Sequence, residues 1–300
     1  MYKDDGVNPA FFKAGEITRQ VRGMVESKDW RGKTYLEICD FVEGAIKAKG
    51  GEPSFPCNVC ADSTAAHYTA QIEDIKKVED GMILKVDLGA AVDGYPTDTS
   101  TTLCYNQELY DLVESTKFAL AEALKSVKTG TRTSEIGRVV ESFAQRRGYI
   151  PISNLSGHSL DQFVVHAGTS IPNVWSPSPT SFREGKVYAV EPFFTTHDGS
   201  GVVVEGDHVN IFSMVSRKKV SDPKASELAD LIWERRRTLP FAARWFAQEF
   251  SKKELDELIP KLLKMKIIRS YPELVESKGT PVAQAEHTIA TTAAGFQIIT

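Results

Sequence analysis

The sequence predicts an α+β protein. Three observations carry this. Two capped amphipathic helices lead into a hairpin signal and two further helices; a later region holds short apolar strands; and a block of helix separates two of those strands. Helices and strands gathered in runs are the pattern of α+β chains. With 300 residues and 41% apolar side chains, the chain is long enough to bury a sizeable core.

The elements follow in order. Asn8-Pro9 reads as N-cap and first position of a helix running to about Glu26. Thr34-Tyr35-Leu36-Glu37 is a capping box. The helix it opens puts Ile38, Phe41, Val42, Ala45 and Ile46 on one face and stops at Gly50-Gly51. Residues 55–68 read as irregular. An apolar run over 82–86 turns at Asp93-Gly94 and returns over 99–104, a strong hairpin signal. With a two-residue turn there, Asp87 faces Ser100 and Asp98 lies diagonally across on the same face. Helices are expected over 106–127 and 134–147, the second stopped by Gly148. Strands follow over 187–194, interrupted by one acid, and over 201–213. Asp222-Pro223 opens a helical stretch to about Arg269, with helices over 225–237, 240–250 and, from the capping box Ser251-Lys252-Lys253-Glu254, on to Met265. Strands return over 282–289 and 296–300. The expected division is 1–221 with 270–300 as the main domain and 222–269 as a helical insertion.

Charge and composition exclude several classes. The net charge of −4 calls for no DNA or acidic membrane partner. No apolar run reaches the length of a membrane span. The opening Met1-Tyr2-Lys3-Asp4-Asp5-Gly6 has no apolar segment, so no signal peptide is expected. Four cysteines (Cys39, Cys57, Cys60, Cys104) are few and suggest a reducing, cytoplasmic compartment. One isolated Cys57-Asn58-Val59-Cys60 is too little for a zinc site.

The chemistry lies in isolated polar residues within apolar runs: Asp87, Asp98, His158, His166, Glu191 and Glu286. Singly, each has an ordinary reading: His166 a satisfied core histidine, Glu191 a strand-end acid, Glu286-His287 a surface pair. His197 and His208 read as surface residues. Together, four carboxylates and the His158 imidazole have the charge to hold two divalent cations. An oxygen-rich set with one nitrogen suits Mn(II), Fe(II) or Co(II), with Zn(II) compatible.

Seven motifs in one order resemble the type II methionine aminopeptidases, metallopeptidases of pita-bread fold. They are Ala65-Ala66-His67-Tyr68-Thr69, Lys85-Val86-Asp87-Leu88-Gly89, Asp93-Gly94 through Asp98-Thr99, Asn154-Leu155-Ser156-Gly157-His158, His166-Ala167-Gly168, Ala189-Val190-Glu191-Pro192-Phe193 and Gln284-Ala285-Glu286-His287-Thr288. The resemblance implies a curved antiparallel sheet covered by helices, with a winged-helix-like insertion at 222–269. It implies two divalent metal ions (Co, Mn, Fe or Zn): Asp87 chelating one, Asp98 and Glu286 bridging, His158 and Glu191 completing the second. Glu191 would also be the general base. His166 would contact the scissile carbonyl and His67 the substrate's peptide group. Phe55, Pro56, Leu155, Val165 and Phe193 would line the pocket for the first side chain, close enough to Cys57 and Cys60 for alkylation to be felt. The implied activity is removal of the initiator methionine from nascent polypeptides when the second residue is small, by a dinuclear-metal-bound hydroxide. Transient ribosome contact is compatible with it, and a monomer is the default expectation. The insertion and the absence of a long charged leader resemble the archaeal form. The alternatives are a Xaa-Pro aminopeptidase of the same fold and a non-catalytic ribosome- or RNA-binding relative.

Overall fold

The computed structural model describes residues 6–293 and 295–300; Met1–Asp5, on which the signal-peptide reading rests, lie outside them. Helix α1 (Pro9–Glu26) starts where Asn8 Oδ1 accepts from Ala10 N. Helix α2 (Tyr35–Ala48) carries the full Thr34/Glu37 capping box. Then come β1 (Glu52–Pro53), β2 (Asn58–Ala61), β3 (Thr64–Ala66), β4 (Ile83–Leu88), β5 (Ala90–Val92), β6 (Tyr95–Pro96) and β7 (Thr99–Cys104). Helices α3 (Tyr110–Leu124) and α4 (Thr133–Arg147) follow, α4 ending on left-handed Gly148. Next are β8 (Ile150–Pro151), β9 (Ser156–Leu160), β10 (Ser170–Pro172), β11 (Val187–Val190), β12 (Phe193–Thr195) and β13 (Val203–Met214). After α5 (Pro223–Arg236), β14 (Phe241–Ala242) and α6 (Lys252–Lys264) the chain closes with β15 (Ile268–Glu276), β16 (Val282–Gln284), β17 (His287–Thr292) and β18 (Gly295–Ile298).

The ladders are antiparallel, and the largest sheet has the order β10-β9-β11-β17-β18. A bridge between Ser100 and Glu286 joins β7 to the β16–β17 segment. The joined sheets form one curved antiparallel surface covered by two helix pairs. Helices α1 and α2 pack Val21, Val25, Ile38, Val42 and Ile46 on Val59, Leu84, Val86 and Leu88. Helices α3 and α4 pack Leu112, Leu120, Ile136 and Val140 on Tyr188, Val190, Phe194 and Ile289. Because strand side chains alternate, burying Val86 and Leu88 under α1 and α2 turns Asp87 to the other face.

The hairpin register is the expected one, with Asp87 opposite Ser100 and Val92 opposite Tyr95. Asp93 (φ 51°) and Gly94 (φ 80°) both take left-handed backbone at the turn, as a primed two-residue turn demands. The ladder is nevertheless interrupted between β4 and β5. A Cβ on Gly89 would lie 1.8 Å from Thr97 O, and it is at this close approach that Asp98 leaves the ladder. Gly89→Ala is expected to cost about 3 kcal/mol, since backbone must move to admit the methyl; urea melts of the two proteins check it.

Several expectations need correction. Residues 55–68 contain β2 and β3, because Asn58–Ala61 pair with β4 and Ala66 with Leu274 of β15. No helix covers 240–250. Phe241 pairs with Phe212 on β13, and only a short 3-10 turn, Ala243–Phe246, follows. Helix does not persist to Arg269 either: α6 gives way to β15, which pairs along β13 from Met214↔Ile268 to Val203↔Glu276. The strands expected over 187–194 and 282–289 are each broken at the acid, at Glu191-Pro192 and at Ala285-Glu286. Residues of α5 and α6 share a buried cluster with Phe212 and Met214 of β13.

Candidate metal centre

Each of the five candidate ligands stands where a strand starts, stops or faces inward. Asp87 lies on β4 between Asn58 and Ser100. Asp98 follows the interruption, its N–H donating to Thr288 Oγ1 at 2.8 Å and its carbonyl accepting from the same hydroxyl at 2.5 Å. His158 lies on β9 opposite Ala189. Glu191 directly follows β11, where Pro192 cannot supply a ladder donor. Glu286 fills the gap between β16 and β17, its carbonyl accepting from Thr99 Oγ1 at 2.7 Å.

These segments bring the side chains together. One ligand atom each of Asp98, His158 and Glu286 lies within 4.8 Å of the others. His158 Nε2 stands 3.4 Å from Asp98 Oδ2 and 3.5 Å from Glu191 Oε1. Asp87 adjoins Asp98 and feels the charges of Asp98 and Glu191. Among the described residues, no Lys or Arg forms an ion pair with any of the four carboxylates.

The electrostatics follow from that crowding. Burial, then the charges of Asp98 and Glu191, push Asp87 well above the carboxylate range. Burial, then Asp98, Glu191 and Asp87, do the same to Glu286. Burial also raises Glu191, opposed by His158. Burial alone would lower His158, but its hydrogen bond to Asp98 and the Glu191 charge outweigh that and raise it. A cation would reverse the carboxylate shifts.

Whether this donor set fits a metal is tested by its unsatisfied atoms. Among the described residues, eight buried side-chain polar atoms lack a hydrogen-bond partner, and four of them belong to the candidate ligands: Asp87 Oδ1, Asp98 Oδ1, His158 Nδ1 and Glu286 Oε1. Native proteins leave few buried polar groups unpaired. Three lone-pair carboxylate oxygens among them, in a cluster with no basic partner, fit a divalent cation.

Asp87, Asp98, His158 and Glu191 form the floor of a cavity of about 220 Å³. Phe55, Leu155, Val165 and Phe193 line its walls; Pro56, the fifth residue named for the pocket, is buried and is not among the lining residues. Glu286 sits below the floor and does not line the cavity. His166 is exposed at the cavity, its ring centroid 4.2 Å from that of His158, so the core-histidine reading is wrong. The cavity wall around it, and next the His158 and His67 imidazoles, lower its pKa. His67 has left-handed backbone (φ 66°), an uncommon conformation for a non-glycine. Its Nδ1 lies 3.2 Å from Pro272 O, which fixes the proton on Nδ1 and leaves Nε2 as an acceptor. Burial lowers its pKa as well.

Sequence reasoning missed other parts. Asn58, Ile211, Pro240 and Tyr271 also line the cavity. Gln284 accepts from Ser100 Oγ at 2.9 Å and donates to Glu286 Oε2 at 3.3 Å, orienting that carboxylate. Its place two residues before Glu286 on an apolar strand was the available signal. His208 is no surface residue: it stacks on Tyr68 with centroids 4.0 Å apart. Cys57 and Cys60 are 1% exposed, and burial pushes Cys60 up to about 12. The alkylation idea therefore fails. Iodoacetamide should modify the partly exposed Cys104 first and leave Cys57 and Cys60 intact until the protein unfolds, as peptide mapping would read.

Comparison with known proteins agrees with this geometry. The description Metallopeptidase family M24 matches residues 10–211. A methionine aminopeptidase of Saccharolobus solfataricus is 40% identical over 92% of this chain and 92% of its own. That of Methanocaldococcus jannaschii is 37% identical over 96% of each. In fold, a thermophilic Arx1 superposes with TM-score 0.83 at 17% identity over 97% of this chain and 89% of its own. Methionine aminopeptidase of Thermotoga maritima does so with TM-score 0.71 at 19% identity, over 100% and 97%. Among the described residues no helix is long and apolar enough to cross a membrane.

Proposed function

From the premise that the chain belongs to the methionine aminopeptidases of metallopeptidase family M24, we propose that it removes the initiator methionine from nascent polypeptides whose second residue is small. The observation that carries this reading is the set of unpaired buried carboxylate oxygens of Asp87, Asp98 and Glu286 at and beneath the floor of an apolar-walled cavity. Asp87, Asp98, His158, Glu191 and Glu286 would hold two divalent cations, with Co, Mn, Fe or Zn all compatible. Such a pair supplies a water acidified to near neutrality and polarises the scissile carbonyl.

The chain's own residues do the rest. Phe55, Leu155, Val165 and Phe193 enclose an unbranched thioether and exclude water from it. The acidic floor attracts the substrate's free amine, which favours removal of the first residue. Glu191 takes the proton from the attacking water on its carboxylate and passes it to the leaving nitrogen. His166, neutral at pH 7, donates to the scissile carbonyl oxygen. His67, with its proton held on Nδ1 by Pro272, accepts a substrate N–H at Nε2. Residues 222–269 serve as a satellite subdomain contributing Pro240 to the cavity wall. The enzyme acts as a cytoplasmic monomer with transient contact to ribosomes where its substrates emerge.

Release of the first residue from Met-Gly-Met-Met, Met-Leu-Met-Met and an Xaa-Pro peptide tests the reading. Release of Met from the first and at least about tenfold less from the second is expected. Cleavage confined to Xaa-Pro would assign the proline-specific activity, and no cleavage with any metal would assign a binding role.

A further inference from the structure

The wall that carries Phe55 is tied to the hairpin through β1–β5 pairing and by the Ser54 N–H donating to Gly89 O at 2.8 Å, but its outer carbonyls need a further partner. In the run Pro53-Ser54-Phe55-Pro56-Cys57 two prolines lack an N–H, and the carbonyls of Pro53 and Ser54 find their donor far along the chain. That donor is Arg236, in the last turn of α5 and 4% exposed. Its Nη2 donates to Pro53 O at 2.6 Å, Ser54 O at 3.1 Å and Pro240 O at 3.0 Å, and its Nε to Pro240 O at 3.3 Å. Among the described residues no carboxylate forms an ion pair with it, though the charges of Glu52 and Glu43 act on it. Burial lowers its pKa to about 10, which still leaves it cationic at neutral pH. The Trp245 ring lies over the guanidinium, 4.8 Å away.

Phe55 and Pro240 both line the cavity. One buried guanidinium therefore joins, through backbone carbonyls, a wall residue from the β1–β2 segment to a wall residue from the helical segment. A second tie lies beside it. Arg244 and Trp245 Nε1 reach Glu43 of α2, whose Oε1 accepts the Cys57 N–H at 3.0 Å. Arg244 Nη1 also donates to Thr69 Oγ1, whose hydroxyl donates to Cys57 O at 2.7 Å. The Phe55 wall is thus held at both flanks by residues of the 222–269 segment.

We propose that Arg236 is a positioning residue for first-residue specificity: by holding the Pro53, Ser54 and Pro240 carbonyls on one planar fork, it fixes the separation of Phe55 and Pro240, so the helical segment sets the width of the pocket. This rests on the aminopeptidase reading above. A planar guanidinium can serve several carbonyls at fixed angles, whereas an ammonium on a flexible stem cannot. Arg236 touches neither the acidic floor nor His67 or His166, so its loss should alter which side chain is accepted and leave the proton-moving groups in place.

The test compares wild type, Arg236→Met and Arg236→Lys, all metal-loaded, on Met-Gly-Met-Met and Leu-Gly-Met-Met, with thermal melts of each. For Arg236→Met, KM for the methionyl peptide should rise about tenfold and kcat stay within about twofold, while the Met-over-Leu ratio of kcat/KM falls about tenfold. Arg236→Lys should lie between, and it decides the matter if the Met variant does not fold. A folded variant with an unchanged Met-over-Leu ratio, or with a loss confined to kcat, overturns the proposal. Wild-type protein that releases no methionine overturns the aminopeptidase reading instead, so the two failures are distinguishable.

Discussion

Glu191→Gln is expected to slow methionine release about a thousandfold while the protein stays folded. The amide is nearly isosteric, so the break at Glu191-Pro192 and the β11–β17 pairing persist. What is lost is the proton transfer, since an amide cannot take a proton and hand it on, together with one negative charge at the metal site. The loss should fall on kcat, with KM for Met-Gly-Met-Met changed little, because the apolar walls that hold the methionine side chain are untouched. His158→Ala should lower activity comparably for a different reason: it removes the cluster's single nitrogen and leaves Asp98 and Glu191 facing each other. Metal content measured beside kcat separates the two: the amide keeps a neutral oxygen donor, so Glu191→Gln should lower occupancy less than His158→Ala, and its loss of kcat should persist at saturating metal.

Removing metal should change stability as well as activity, and the sign follows from the carboxylates. In the cation-free protein burial and mutual charge raise Asp87 and Glu286 above their unfolded values and push Glu191 up to about 8, which sets the pH window. Groups raised on folding contribute stability that is fully present below the unfolded pKa, near 4, and that is lost as pH rises through the folded value. Chelated protein should therefore melt lower at pH 8 than at pH 6. A divalent cation supplies the missing charge, so its stabilisation should be larger at pH 8. At a thousandfold excess over Kd the gain is about 4 kcal/mol, a rise in Tm on the order of 10 °C. Calorimetry of chelated and reloaded protein at both pH values measures this. A chelated protein that grows more stable as pH rises would contradict the account of the acidic floor.

What was legible in the sequence was mostly local. Asn8, Thr34, Asp222 and Ser251 cap helices through side chains bonding two or three residues away, so short patterns suffice to find them. Asp93-Gly94 fixed the register of a whole hairpin, because a two-residue turn leaves no freedom in the pairing. Misses arose where partners are distant. β15 forms because β13 lies ready to pair with it, and the 240–250 segment is drawn out of helix by pairing of Phe241 with Phe212 and by Glu43, which holds Arg244 and Trp245. The candidate ligands stood out as acids in apolar runs. Gln284 had only its place two residues before Glu286 to mark it, its partner Ser100 lying 184 positions away, and Arg236, bonded to Pro53 across 183, carries no local mark at all.

The most direct test of the central claim is methionine release from Met-Gly-Met-Met as chelated protein is titrated with Mn(II), with bound metal counted at each point. The account predicts no release without metal, activity that rises with occupancy of the acidic floor, and saturation at two ions per chain. Undiminished release from metal-free protein, or metal bound at Asp98, His158 and Glu286 with no release at any occupancy, would contradict it.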